Sequence, residues 1–214
     1  MRSRQRGFTL IELLIVITII GLLAAVLLPN IVGARVSVYI QGDAANLRRH
    51  YEWIIMYQQK LKSYPTQGGH RFVLSTWCDG ITEKTVDDYD RFFTPGTREQ
   101  DPVWKEGRAK VLTGENPWPD INQVSPRDTH YVGRAKDMMR GLESGTEALM
   151  ANDNEGGWSI SDGTINILYG NGSVRTFSYQ ELVQLFHLPA FDKNNPIETY
   201  GPNAALPDLK KLAN

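Results

Sequence analysis

The sequence predicts an α+β fold in which one long N-terminal α-helix packs on a small antiparallel β-sheet, with a loop-rich insertion between them. Three observations predict it: an apolar run opens the chain, a helical apolar stripe follows, and a strand–turn–strand signal stands near the C-terminus. The 214 residues suffice for one domain plus an appendage. At 41% hydrophobic and 22% charged the chain is not disordered, and its formal charge of -1 carries no basic bias toward nucleic acid. The single cysteine, Cys78, excludes an internal disulfide and any cysteine-clustered zinc or iron–sulfur site.

The chain begins with Arg2, Arg4 and Arg6 and no acid before Gly7. Phe8 through Leu28 then form a run of 21 residues whose only charge is Glu12. As a helix that run spans about 31 Å, the hydrocarbon thickness of a bilayer. The arginines are expected on the cytoplasmic side, with the rest of the chain across the membrane. A cleaved secretory signal needs a small-residue site after the apolar core, and Ala24-Ala25-Val26-Leu27-Leu28-Pro29 matches poorly. A plain signal anchor or a buried core helix fits the run but leaves Glu12 unexplained. A carboxylate inside a span costs roughly 2–3 kcal/mol at a helix centre and less near an end, so it normally has a partner. No Lys or Arg lies within a helical turn C-terminal to it. Cleavage after Gly7 would supply one: the new α-amino group of Phe8 stands one turn before Glu12, where the helix dipole also favours an acid. An amine donated by a neighbouring chain would make Glu12 an assembly residue.

Gly7-Phe8-Thr9-Leu10-Ile11-Glu12, after a basic leader and before an apolar run, resembles the prepilin processing motif of type IV pilins and type II secretion pseudopilins. The resemblance covers residues 1–30 closely and the following helix in general character. It implies a pilin-like fold, cleavage between Gly7 and Phe8 by prepilin peptidase, N-methylation of Phe8, and a need for Glu12 when subunits join a filament. It also places Gly21 and Pro29 where relatives have a helix-weakening glycine and proline. Independently of it, Pro29 removes a backbone donor and crowds the carbonyl of Ala25, which predicts a kink.

Beyond Pro29 the apolar residues become periodic: Val36, Ile40, Ala44, Leu47, Tyr51, Ile54 and Leu61 recur at helical steps, with Arg35, Asp43, Arg48, Glu52 and Lys60 assigned to the opposite side. The helix is expected to end near Lys62, because Tyr64 precedes Pro65. Tyr64-Pro65-Thr66 resembles the start of the post-helix region in major pseudopilins. Phe72–Trp77 reads as either a strand or a short helix. Residues 79–157 read as a loop-rich surface insertion with short helices, one across Arg134–Leu142. Thr164–Tyr169 and Ser173–Phe177, joined by Gly170-Asn171-Gly172, read as a hairpin. Ser178 and Glu181 read as a capping box opening a helix to about His187. The expected layout is leader 1–7, transmembrane helix 8–28, amphipathic continuation 29–63, globular head 64–188 and extended tail 189–214.

The four histidines, His50, His70, His130 and His187, share no metal-ligand spacing, and no phosphate loop is present. Asn152, Asp153, Asn154, Glu155 and Asp162 form an oxygen-rich loop of the kind that suits calcium, and major pseudopilins bind calcium in a C-terminal loop; Asp153 and Asp162 are the first candidates. Against it stand the lack of EF-hand spacing and the frequency of Asn and Asp in plain turns. Asp87-Asp88-Tyr89-Asp90 reads as a solvated acidic face. Removing the leader takes three arginines, leaving 20 basic against 24 acidic side chains, a formal -4 that argues further against nucleic acid.

The resemblance implies a structural subunit, not an enzyme, of a type II secretion-like pseudopilus that drives protein export. It waits in the bacterial inner membrane as a single-pass protein with a periplasmic head, surrounded by lipid, before entering the pseudopilus. Its partners are then further copies or other pseudopilins, prepilin peptidase and an inner-membrane assembly platform. A type IV pilin of a surface fibre is the alternative; such pilins often close a C-terminal loop with two cysteines, which one cysteine cannot do. A minor tip subunit binding cargo is a further alternative, with the insertion as its binding region.

Overall fold

The computed structural model describes residues 9–139, 145–152, 164–186, 200–202, 204 and 206–213. Helix α1 is Leu10–Leu61, and the chain divides into two units, Met1–Val38 and Tyr39–Asn214.

In the first unit, residues 10–27 of α1 are long and apolar enough to cross a membrane. Their large apolar side chains are exposed all round, from Val16 at 46% to Leu10 at 82%, the pattern of a helix made for an apolar solvent and not for one packed face. Thr18, a polar residue within this stretch, returns its hydroxyl to the Leu14 carbonyl at 2.7 Å, so it presents no bare donor. The helix continues through positions 21 and 29.

The second unit holds a five-stranded antiparallel sheet of order β4-β3-β2-β1-β5. The strands are β1 (Tyr131–Arg134), β2 (Ala148–Asn152), β3 (Thr164–Tyr169), β4 (Val174–Ser178) and β5 (Leu212–Ala213). Around it lie α2 (His70–Cys78), α3 (Val86–Asp90), α4 (Pro102–Leu112) and α5 (Tyr179–Phe186). Leu47, Trp53, Ile54 and Tyr57 of α1 share a core with Tyr131, Leu149, Met150 and Leu168 on one sheet face. Each such fully buried side chain contributes about 1.5–3 kcal/mol. The opposite face buries Val132, Ala151, Ile165 and Ile167 beneath Leu206, Leu209 and Leu212. In β3 the alternation is clear, with Ile165, Ile167 and Tyr169 on that second face and Asn166 and Leu168 toward α1.

The hairpin and the capping box form as the sequence predicts. β3 and β4 pair from Thr164↔Ser178 to Leu168↔Val174. Gly172 turns with φ 80, and a Cβ there would meet the Tyr51 ring at 2.7 Å, so the turn needs glycine for conformation and for its approach to α1. Ser178 donates through N and Oγ to Glu181 Oε2 at 2.8 and 2.9 Å, opening α5. Phe72–Trp77 resolves as helix, inside α2. Its N-terminus lies against β1: Gly69 N donates to the Arg134 carbonyl at 2.8 Å, and a Cβ on Gly133 would stand 2.6 Å from Gly69 O.

Five expectations are corrected. Residues 79–157 are not mainly a surface insertion: they supply β1 and β2, two inner strands, and the buried Tyr89, Phe92, Phe93 and Trp118. The strands were hidden because β1 has four residues and β2, Ala-Leu-Met-Ala-Asn, is built from types that strands seldom favour. The helix expected across Arg134–Leu142 is instead the end of β1 followed by a 3-10 turn at Lys136–Met138, with 140–142 outside the described residues. The tail is not extended where described: Pro207–Lys211 forms a 3-10 turn and β5 pairs with β1. Lys211 and Arg134 both engage Glu147 there, and these cations hold its carboxyl below the usual range. Asp87–Asp90 is solvated only at Asp87, since Asp88 and Tyr89 are buried and Asp90 accepts from Trp104 Nε1 at 2.8 Å.

The fifth correction concerns Asp43, which is fully buried. It stands four residues before Leu47 on the packed face, where its charge disguised its position. Tyr131 Oη donates to Asp43 Oδ1 at 2.7 Å, Asn166 Nδ2 to Oδ2 at 2.8 Å, and Asn152 Nδ2 also to Oδ2. Asn166 further donates to the Ile40 carbonyl at 3.1 Å and accepts from Thr176 Oγ1 at 2.6 Å. One carboxyl thus ties α1 to β1, β2 and β3, and through Asn166 to β4. Burial raises its pKa, against the pull of these donors. Asp43→Ala, which strands the three donors, is expected to destabilise the full-length chain by about 3–5 kcal/mol. Urea midpoints in detergent measure this, and a shift worth less than about 1 kcal/mol would rule the network out as the pin.

His50, two turns along the same face, is also fully buried, edge-on to Trp53, Phe92 and Tyr131. Its Nε2 donates to the Arg91 carbonyl at 3.0 Å. Burial, aided by the Arg91 charge, pushes the imidazole down to about 3. An unfolded histidine titrates near 6.5, so between those values the unfolded chain binds a proton that the fold excludes. Stability from His50 is therefore present above about pH 6.5 and lost on acidification, by about 1.4 kcal/mol per unit. Asp43 acts with the opposite sign, its raised carboxyl favouring the fold below its own titration and less so as pH rises. His50→Phe should flatten the loss of stability between pH 6.5 and 4.5 relative to the unaltered chain. Equal slopes would refute the assignment.

Candidate functional site

The N-terminal end of α1 carries the site. Thr9 donates through N and Oγ1 to Glu12 Oε2, at 2.9 and 2.7 Å, and Glu12 N donates back to Thr9 Oγ1 at 3.3 Å. This reciprocal capping box places Glu12 at the third helical position, where the amide dipoles favour a carboxylate. Oε1 accepts no hydrogen bond from any described residue. Among the described residues, the acid that opens the helix is thus held through one oxygen only. Among the described residues of the first unit, Arg35 is the nearest cation in sequence. Gly7 and Phe8, and with them the cleavage point, lie outside the described residues. A Cβ at Gly21 would meet nothing within 4 Å, so that glycine is not required by packing inside one chain. Pro29 lies within α1.

The other candidate residues stay apart. Asp153 and Asp162 fall outside the described residues. Asn152, from the same oxygen-rich loop, has its side chain committed: Nδ2 to Asp43 and Oδ1 to Asn166 N at 2.6 Å. Among the described residues, no group of three or more His, Cys, Asp or Glu side chains is placed to hold a metal ion. His130 takes the Thr94 amide on Nδ1 at 3.1 Å and meets Asp101 through Nε2 at 2.8 Å, which sets the Nε2–H tautomer and uses both nitrogens structurally. His70 Nε2 meets the Val124 carbonyl at 3.3 Å. Cys78 donates to the Trp118 carbonyl, and burial together with Asp79 raises its thiol to about 11. Sequence reasoning found Glu12 and missed Thr9 as its partner, although Thr-x-x-Glu before an apolar run is the signature of a capping box.

A helix apolar on every side, opened by a capped acid, together with a sheet-bearing second unit, defines a pilin-like protein. The prokaryotic N-terminal methylation motif matches residues 2–28. The type II secretion system core protein G of Klebsiella michiganensis is 35% identical over 162 residues, covering 75% of this chain and 97% of that protein. That of Dickeya chrysanthemi is 36% identical over 66 residues, 31% of this chain and 43% of its own length. The major component of a type IV wide pilus from Thermus thermophilus is 50% identical over 54 residues, 22% of this chain and 40% of its own. The chain therefore spans less than half the length of some relatives and nearly all of others. No solved structure matches it. The chain belongs to the pseudopilin family of type II secretion system core protein G, within the type IV pilin-like proteins.

A thiol raised to about 11 is about 0.1% thiolate at pH 8. Cys78 in the folded chain should therefore alkylate roughly a hundredfold more slowly at pH 8 than in the urea-unfolded chain. Equal rates would overturn the assignment of Cys78 as an inert, structural thiol.

Proposed function

We propose that this chain is a structural subunit of a type II secretion-like pseudopilus, processed by prepilin peptidase between Gly7 and Phe8 and N-methylated on Phe8. The observation that carries the proposal is Glu12, the one charge of the apolar run, capped by Thr9 through a single oxygen. The other oxygen accepts the α-amino group of Phe8 from a neighbouring subunit, which neutralises the acid in lipid and fixes the register of one helix on the next. Membership of the core protein G family supports this role. In this reading residues 1–7 are the leader, 8–28 span the bacterial inner membrane, 29–63 continue the helix, and the head from residue 64 lies in the periplasm. Gly21 and Pro29 are the places where the helix loosens within a filament. Filament growth, fed by other pseudopilins and an inner-membrane assembly platform, pushes cargo outward. In this reading the work is mechanical and not catalytic. A surface type IV pilus is the second reading, favoured by the similarity to the Thermus pilus component.

Mass spectrometry of the protein from cells with prepilin peptidase should find a chain beginning at methylated Phe8; cells without the enzyme should retain Met1–Gly7. Glu12→Ala should insert in the membrane normally and fail to enter filaments. Normal incorporation of that variant would remove the assembly role, and long surface fibres built from this chain would select the pilus reading.

A further inference from the structure

Asn171-Gly172 is the one Asn-Gly pair in the chain, and it forms the tip of the β3–β4 hairpin with Asn171 and Ser173 exposed to water. The pair suits the turn, where Gly172 supplies a φ of 80. It also brings an electrophile next to a nucleophile, because the Asn171 carboxamide carbon lies within ring-closing reach of the following amide nitrogen. Glycine puts no side chain in the way of that closure. Asn171 Oδ1 accepts from Ser173 N at 2.9 Å and from Ser173 Oγ at 2.6 Å. Two donors on one carbonyl oxygen draw electron density from Cγ, and they stand where negative charge gathers when a nucleophile adds to that carbon.

The nucleophile is held by a single bond. Gly172 N donates to the Tyr169 carbonyl at 2.9 Å, closing the turn. The rest of the tip is tied elsewhere: Gly170 N donates to the Glu147 carbonyl at 2.9 Å, and Asn171 N to the Gly145 carbonyl at 3.1 Å. Below it the strands pair from Thr164↔Ser178 to Leu168↔Val174. The Gly172 amide can therefore leave its bond in a local opening that parts neither strand.

We propose that Asn171 is a site of spontaneous deamidation in the folded chain, with Ser173 as its positioning residue. Gly172 N gives its proton to solvent and attacks Asn171 Cγ, while Oδ1 takes up the charge between the two Ser173 donors. Collapse of that intermediate breaks the Cγ–Nδ2 bond; Nδ2 takes up a proton and leaves as ammonia, and a five-membered succinimide remains. Water then adds to either ring carbonyl and breaks its bond to the ring nitrogen, giving aspartate or isoaspartate at position 171. Nothing is oxidised or reduced. The product bears on the fold, because a Cβ on Gly172 would stand 2.7 Å from the Tyr51 ring of α1. Isoaspartate inserts one more backbone carbon just before this close approach, and either acid adds a negative charge to the tip. The modification thus marks older subunits and loosens the hairpin from α1.

The test incubates the full-length protein in detergent at mildly alkaline pH and follows position 171 by peptide mapping and mass spectrometry. The amide should give way to an acid, with isoaspartate among the products, since only the cyclic route makes it. Ser173→Ala should slow the change about fivefold in the folded chain, less than a buried oxyanion donor would, because the tip lies in water. The same variant should leave the rate in the urea-unfolded chain unaltered, and Ser173→Thr should keep the folded rate. Asn171→Gln, which would have to close a six-membered ring, should stop the reaction. Aged protein should unfold at lower urea than fresh protein, and Asn171→Gln should remove that difference. An Asn171 that converts in urea but survives intact in the folded chain would overturn the site. Aspartate without isoaspartate would overturn the cyclic route, and a folded Ser173→Ala chain that reacts as fast as the original would remove Ser173 from it.

Discussion

The second unit depends on one buried carboxyl. Asp43 stands on the buried helical face that also carries Ala44, Leu47, His50 and Ile54, and it is surrounded by donors from the strands beneath. Hydrophobic packing attracts a helix to a sheet without fixing how far it slides or turns, because burial is nearly non-directional. Hydrogen bonds to Tyr131, Asn152 and Asn166 admit one register. A buried polar group with all its partners is a means of choosing a single arrangement, and it penalises every other arrangement by leaving those partners unmet.

This constraint also explains what the sequence concealed. The hairpin, the α5 cap and the end of α1 were legible because each has a local cause: Asn-Gly, Ser-x-x-Glu and Tyr-Pro act over four residues or fewer. Asp43 and His50 were not, because periodicity reasoning sorts residues by polarity, and both are polar on the apolar face. β1 and β2 were hidden for a different reason. They are stabilised by pairing with segments far along the chain, and their composition hardly favours a strand in isolation. The aromatic cluster of Trp77, Tyr89, Phe92 and Trp118 completes the same lesson, since a stretch full of Gly, Pro and Asp can still carry the largest side chains of a core.

The candidate site was legible at the level of residue types and opaque at the level of geometry. An acid in an apolar run is conspicuous in any sequence. That it forms a box with Thr9, which occupies one of its oxygens, belongs to the structure. The same helix meets two different demands along its length. Residues 10–27 are apolar on every side, whereas from Tyr39 onward one stripe is buried and the other carries charge.

The placement of β5 has a consequence for how the molecule matures. β1 is an inner strand only because Gly133 and Arg134 pair with Ala213 and Leu212, some eighty residues later. A chain emerging from its N-terminus therefore presents β1 with a raw edge until residues 212 and 213 have been made. During that interval the unprotected backbone is open to mispairing with another nascent chain. The closing turn and strand, with Lys211 clasping Glu147, act as a late latch that ends this vulnerable period.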